Sequence, residues 1–318
     1  MEMWKDLPGR VEINEVGPRD GFQAEDDFIP TDRKVELIDA LSRTGVAAIQ
    51  ATSVVHPKAV PQLADAEEVM TRIERAPGVR YTVLVPNLRG AERAVPMHAD
   101  GWELMLSVTD SHSISNANRS TEDALKGMEP VAALARENGV EAAGSMATAL
   151  GCPFEGRVPF ERVLYVAEAY RAMGVYRISI ADTVGVADPR LVYETMSGLA
   201  ERLPDVKFGL HLHNTRGMAL ANVLAALGAG VTEFDSAVGG LGGCPFAPGA
   251  TGNVSTEDLV HMLDQMGVET GVDLDAMLAV SREAREVVGH PLESAVLRAG
   301  KSGELHEAPR AQAFGGPR

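Results

Sequence analysis

Glu233-Phe234-Asp235-Ser236-Ala237-Val238-Gly239-Gly240-Leu241-Gly242-Gly243-Cys244-Pro245-Phe246-Ala247-Pro248-Gly249-Ala250-Thr251-Gly252-Asn253 holds a strand and a loop in one line. From Gly239 onward, six glycines and two prolines fall within fifteen residues. Glycine costs backbone entropy in any regular element and proline lacks the amide donor, so this part is a loop. Glu233 to Val238 reads as a strand before it. Val254 to Met266, opened by Ser255, Thr256 and Glu257, reads as the helix after it. The unit is therefore strand, glycine-rich loop, helix, and the rest of the chain repeats it.

Working outward, short apolar runs predict strands over Val11–Gly17, Ala47–Ser53, Arg80–Pro86, Trp102–Val108, Glu141–Ala149, Tyr176–Asp182, Lys207–Asn214 and Glu233–Val238. Between them, apolar residues at three- and four-residue spacing predict helices over Thr31–Arg43, Ala64–Arg75, Thr121–Asn138, Phe160–Met173, Pro189–Leu203 and Gly217–Leu227. Strands and helices alternating eight times predict an α/β fold, a (β/α)8 TIM barrel, with a doubly wound open sheet as the alternative. An additional amphipathic helix, Leu274–Val288, follows the eighth unit. Residues 1–288 form the expected barrel domain with this appended helix. Residues 289–318 mix Gly, Pro and charge without periodicity and read as a C-terminal tail, packing loosely or folding over an edge.

The chain has 318 residues, a size one barrel can fill. Twenty-nine Lys and Arg against forty-five Asp and Glu give a net charge of -16, which argues against nucleic acid and anionic membranes as partners. No apolar run approaches the ~20 residues of a membrane span. Cys152 and Cys244 are the only cysteines, too few for a disulfide framework. With no signal-like segment at the start, the expected location is cytoplasmic.

In a barrel the chemistry belongs at the carboxyl ends of the strands. Arg19, Asp20 and Gln23 follow the first strand, Gln50 and Ser53 lie at the second, and Asp182 and Thr183 at the sixth. His211 and His213 end the seventh, and Cys244 and Asn253 follow the eighth. Polar residues gather at those ends and are expected hardly anywhere else in the strands. Residues two apart in a strand share a face, so His211 and His213 present two imidazoles to the interior. A lone His-x-His is often only a hydrogen-bonded pair. Asp20 adds a carboxylate and Asn253 an amide oxygen, and this set suits octahedral Mg²⁺ or Mn²⁺ rather than structural zinc. Arg19 is either a surface ion pair with Asp20 or a guanidinium placed to stabilise an enolate or carboxylate oxygen next to the metal. Cys244 is either a small buried hydrophobe or a proton donor to a carbanion. His56 and His112 lie in βα loops, as solvated loop histidines or as groups that touch substrate, and Cys152, in a second Gly-Cys-Pro-Phe phrase, reads as part of a structural turn.

Together these motifs resemble the 3-hydroxy-3-methylglutaryl-CoA lyase family, within the metal-dependent barrel enzymes that include isopropylmalate synthase. The resemblance rests on Val16-Gly17-Pro18-Arg19-Asp20-Gly21-Phe22-Gln23, Asp182-Thr183-Val184-Gly185-Val186, His211-Leu212-His213-Asn214-Thr215 and Gly240-Leu241-Gly242-Gly243-Cys244-Pro245, among others between Val11 and Val272. It implies a carbon–carbon lyase cleaving an acyl-CoA substrate by a retro-Claisen step, in leucine degradation, and a homodimer. It implies that Asp20, His211, His213 and Asn253 bind the metal, and that Arg19, His211 and Cys244 act in catalysis. Gln23, Ser53, Ser145 and Thr183 are implied to line the substrate. Three positions depart from the family. Gln50 replaces a glutamate near the reacting carbons, Ser145 replaces a tyrosine of the pocket, and Glu25-Asp26-Asp27 stand where a lysine-type residue is expected. Asp182 is the expected substitute for the lost titratable group. The departures leave open a lyase or aldolase of the same superfamily with a different 3-hydroxy acid or acyl-CoA, or a non-catalytic relative.

Overall fold

The structure, a computed structural model, describes residues 7–243 and 252–305. Eight strands follow the chain around a closed parallel barrel: β1 (Glu12–Glu15), β2 (Ala48–Ser53), β3 (Arg80–Val85), β4 (Gly101–Ser107), β5 (Glu141–Ala147), β6 (Arg177–Asp182), β7 (Lys207–Leu212) and β8 (Glu233–Ser236). The seam is made by β8 pairing with β1, from Glu12 opposite Glu233 to Glu15 opposite Ser236. Because the last strand finds the first, the open doubly wound alternative is excluded.

The helices are α1 (Thr31–Ser42), α2 (Ala66–Arg72), α3 (Leu88–Ala94), α4 (Asp110–Ala117), α5 (Thr121–Glu137), α6 (Phe160–Ala172), α7 (Pro189–Arg202), α8 (Ala219–Gly228), α9 (Thr256–Gln265), α10 (Leu274–Val288) and α11 (Ala295–Ala299). The six barrel helices predicted from spacing are present within two residues or three at each end. The short α3 and α4 were not predicted. In α4, Ser111, Ser113 and Ser115 replace the apolar stripe on which a periodicity argument depends. His112 belongs to that helix and is buried, its Nδ1 2.7 Å from Ser107 Oγ, which corrects the solvated-loop reading.

Along β3 the outward residues Tyr81, Val83 and Val85 are buried, as packing under the helix layer requires. The inward residues behave differently, and here an expectation is corrected. Charged side chains are not confined to the carboxyl ends. At the amino-terminal end of the barrel, Glu12, Arg80, Glu141, Arg177, Lys207 and Glu233 interlock as an internal ionic layer. Arg80 reaches Glu12 at 3.5 Å and Glu141 at 3.7 Å, and Lys207 lies 2.5 Å from Glu233. Three cations oppose three anions, so the charges balance around Glu233, the one buried member, while the other five stay partly open to solvent. Two residues up β4 from Gly101, which pairs with Glu141, burial and then Asp235 push the Glu103 carboxyl up to about 8.

Residues 289–305 return to the barrel. Gly289, at a φ of 75°, ends α10 with the left-handed turn glycine favours. Beyond it Glu293 N–H donates to Gly239 O at 3.0 Å, and Asp258 accepts Ala295 N–H at 2.9 Å and Val296 N–H at 2.7 Å. Residues 306–318 lie outside the described residues.

Candidate active site

After β1 the chain makes one turn of π-helix, Gly17–Gly21, with Asp20 N–H bonded back to Val16 O at 2.7 Å. This turn folds Arg19 and Asp20 inward, and both are buried, so the surface ion-pair reading of Arg19 is set aside. On β7, His211 lies in the last turn of the ladder and His213 just past it. The far leg of the glycine-rich loop pairs with that exit: Asn214 N–H donates to Gly252 O and Val254 N–H to Leu212 O, both at 2.9 Å. This pairing sets Asn253 opposite His213. Ser255 then caps α9, its Oγ accepting from Asp258 N–H at 3.1 Å.

Two glycines are required by close approach. A Cβ at Gly242 would sit 2.5 Å from Asn253 Nδ2, and one at Gly252 would sit 2.1 Å from Gly240 O; both residues also have positive φ, 110° and 95°. The two legs of the loop therefore meet directly over Asp20. Cys244 lies outside the described residues.

The ligand atoms converge. His211 Nε2 and His213 Nε2 are 3.2 Å apart, and Asp20 Oδ2 is 3.9 Å from the first and 3.8 Å from the second. Metal–ligand bonds of about 2.1 Å at right angles put neighbouring donors roughly 3 Å apart, close to the spacing of the imidazole nitrogens. Asn253 Nδ2 donates to Asp20 Oδ2 at 2.7 Å and to Leu241 O at 2.9 Å, while its Oδ1 is buried with no hydrogen-bond partner among the described residues. A buried acceptor without a donor is costly, and a cation would satisfy it. Asp20, His211 and His213 thus form a possible metal site, and the orphaned amide oxygen fits the same group.

Electrostatics agree with that use. Burial alone would raise the Asp20 carboxyl, but Arg19, then His211 and His213, and the amide of Asn253 hold it well below the usual range. Burial, then the neighbouring His211, push the His213 imidazole down to about 4, which leaves it neutral at pH 7 as a ligand must be. Arg19 spans the site, donating from Nη1 to Asp20 Oδ1 and from Nε to Gln50 Oε1. Gln23 Nε2 donates to Asp20 Oδ1 at 3.1 Å.

The other expected residues are placed as follows. Asp182 Oδ1 and Oδ2 accept from Val186 N–H at 2.9 Å and Ala187 N–H at 3.0 Å, and burial raises its carboxyl. Thr183 Oγ1 accepts from Thr148 N–H at 2.8 Å. Ser53 is buried at the end of β2, its Oγ 3.4 Å from Val55 N, and Ser145 lies on β5, paired with Met105 and Ser179. His56 is exposed, with Nδ1 accepting from Lys58 N–H at 3.2 Å. Cys152 sits in a turn closed by mutual backbone bonds with Gly156 at 2.8 and 2.9 Å, as its motif suggested.

Two buried glutamates escaped the sequence reading. Glu15 Oε1 accepts from Gly17 N–H at 2.7 Å and Val238 N–H at 2.9 Å, and Oε2 accepts from Thr256 Oγ1 at 2.6 Å. One carboxyl thus joins the Asp20 turn, the β8 exit and the start of α9. Glu257 accepts from Gly239 N–H at 2.8 Å and from Ser281 Oγ. Burial pushes each up to about 7. Between roughly pH 4.5 and 7 the unfolded chain has released these protons and the folded chain keeps them, so stability falls as pH rises through that window and levels above it. Glu15→Gln keeps both acceptor bonds at Oε1 and can donate to Thr256 Oγ1. Urea unfolding from pH 5 to 8.5 is expected to show a shallower fall for this variant, and equal slopes in the two proteins would refute the assignment.

The fold and these side chains define a class: a (β/α)8 barrel with a possible metal site of one carboxylate and two imidazoles at the carboxyl ends of its strands. The chain belongs to the HMGL-like family, whose profile matches residues 10–283. It is 42% identical over 295 residues to the hydroxymethylglutaryl-CoA lyase YngG of Bacillus subtilis (strain 168), covering 93% of this chain and 99% of that one. It is 44% identical to the mitochondrial hydroxymethylglutaryl-CoA lyase of Rattus norvegicus, covering 86% and 84%. An HMG-CoA lyase from Acenitobacter baumannii, solved in complex with coenzyme A and 3-methylmalate, superposes with a TM-score of 0.90 at 41% identity, covering 95% of this chain and 98% of that one. These relatives and the family place the chain among carbon–carbon lyases.

Proposed function

We propose that this chain cleaves 3-hydroxy-3-methylglutaryl-CoA to acetyl-CoA and acetoacetate in a divalent-metal-dependent retro-Claisen reaction. The observation that carries this reading is the convergence of Asp20 Oδ2, His211 Nε2 and His213 Nε2 beside the buried Arg19, in a chain so similar to lyases of that name. Asp20, His211, His213 and the Asn253 amide oxygen would hold Mg²⁺ or Mn²⁺, which would supply Lewis-acid polarisation that makes the substrate's tertiary hydroxyl more acidic.

The C3 hydroxyl loses its proton, the C2–C3 electron pair moves into the thioester as an enolate, and C3 becomes the ketone of acetoacetate. Protonation at C2 completes acetyl-CoA. Gln50 cannot titrate; its carbonyl instead orients Arg19. Asp182, made more basic by burial and held in one orientation by two loop amides, takes the hydroxyl proton, while His211 acts as a ligand. Arg19 places a guanidinium where the enolate oxygen develops charge. Cys244 donates the proton to C2. Gln23, Ser53, Ser145 and Thr183 line the substrate. A homodimer, a cytoplasmic location and a place in leucine degradation belong to the same reading. The dimer rests on the family resemblance, and the location on cysteine usage.

Incubating purified chain with 3-hydroxy-3-methylglutaryl-CoA and Mg²⁺ is expected to yield acetyl-CoA, detected by chromatography. Stripping with a chelator is expected to abolish the product, and Mg²⁺ or Mn²⁺ to restore it. Faster cleavage of another 3-hydroxyacyl-CoA, or full activity without a divalent ion, would overturn the reading.

A further inference from the structure

The two histidines of the cluster are not held alike. His213 Nδ1 is buried with no hydrogen-bond partner among the described residues. His211 Nδ1, in contrast, lies 3.2 Å from Asp235 Oδ2. The contact is built into the sheet, because His211 and Asp235 are register partners across β7 and β8. Asp235 is itself fixed from two further strands: Asn14 Nδ2 on β1 donates to Oδ1 and Ser179 Oγ on β6 donates to Oδ2, both at 3.1 Å. Four neighbouring strands thus spend one polar layer of the barrel on a single carboxylate, directly beneath the site.

A carboxylate only accepts, so at this distance the imidazole must be the donor. The tautomer this contact selects for His211 carries its proton on Nδ1. The lone pair sits on Nε2, the atom that faces His213 and Asp20. We infer that Asp235 is a positioning residue: it fixes the tautomer and ring angle of His211 so that Nε2 is presented as a ligand. The inference rests on the metal reading above. Carboxylate support of this kind both orients an imidazole and raises its donor strength, and its loss typically weakens metal affinity about 10- to 100-fold.

The barrel's other interior carboxyls do not replace it. Glu12, Glu141 and Glu233 are engaged in the ionic layer below, and burial and then Asp235 itself push the Glu103 carboxyl up. Loss of Asp235 would leave His211 Nδ1 facing Asn14 and Ser179, whose side chains supply weaker, neutral acceptors.

The test is Mn²⁺ binding to the full chain without substrate, followed by electron paramagnetic resonance, with an Asp20→Ala variant as the background. Asp235→Ala is expected to weaken binding about 10- to 100-fold. Asp235→Asn keeps an acceptor for Nδ1–H but loses the charge, and is expected to weaken it about 3- to 10-fold while folding normally. Selective ¹⁵N labelling of histidine in the metal-free protein should show Nδ1 protonated on His211 in the parent. Parent-like Mn²⁺ affinity in a folded Asp235→Ala, or Nε2 protonation on His211 in the parent, would overturn the inference and leave the metal reading intact. A parent that binds no more Mn²⁺ than Asp20→Ala would overturn the metal reading itself.

Discussion

Asp20→Ala reduces cleavage to background at any Mg²⁺ concentration, a loss in kcat/KM of at least about 10³-fold, or roughly 4 kcal/mol of transition-state stabilisation. The expectation follows from how much converges on this carboxylate. Its Oδ2 faces both imidazoles at 3.8 and 3.9 Å and takes the Asn253 amide at 2.7 Å, while Oδ1 takes Arg19 and, at 3.1 Å, Gln23. No other carboxylate joins the two histidines among the described residues. Removing it leaves a buried guanidinium without its nearest counter-charge and two imidazoles without the anion that would help hold a cation between them. Asp20→Asn separates these effects. It preserves volume and some hydrogen bonding but carries no charge, so it should fold and still bind Mn²⁺ poorly. Steady-state kinetics over a Mg²⁺ titration, with Mn²⁺ binding in parallel, checks both. Activity within tenfold of the parent at saturating Mg²⁺ would show that the cluster is not the metal site.

Asp20, His211, His213 and Asn253 were legible in the sequence because each obeys a short-range rule. Two histidines alternate on one strand face, and an aspartate and an asparagine stand just past strand ends, where a barrel gathers its chemistry. The eight strands were legible for a similar reason: their outward faces are apolar and regular turn residues separate them. What was not legible depends on pairs distant in sequence. Glu15 bonds residues 223 and 241 positions away, Val238 and Thr256, and its burial follows from where α9 docks, not from anything beside it in the chain. Asp235 shares a strand face with Glu233, a period-two signal present in the sequence. Only the β7–β8 register shows which histidine it meets. The ionic layer was hidden likewise, since Arg80, Arg177 and Lys207 each begin a strand and look like ordinary strand-end charges until the barrel closes around them.

Arg19→Met is expected to lower kcat by about 10²–10³ while Mn²⁺ affinity stays within about threefold of the parent. In the structure Arg19 is the cation that touches Asp20, and its second bond, from Nε to the Gln50 carbonyl, anchors it without neutralising it. A glutamate at position 50 would share the positive charge, whereas glutamine leaves it for Asp20 and for whatever anion forms on the substrate. On the proposed reading that charge acts on a species absent from the ground state. An interaction made only with the developing enolate lowers kcat and kcat/KM together and leaves KM nearly unchanged, and this pattern separates catalysis from substrate anchoring. Arg19→Lys retains the charge but cannot bridge Asp20 and Gln50 with one planar group, so it should recover little of the rate. If KM rises instead while kcat is kept, Arg19 grips the substrate in its ground state, and stabilisation of the enolate must come from the metal cluster and the groups around it.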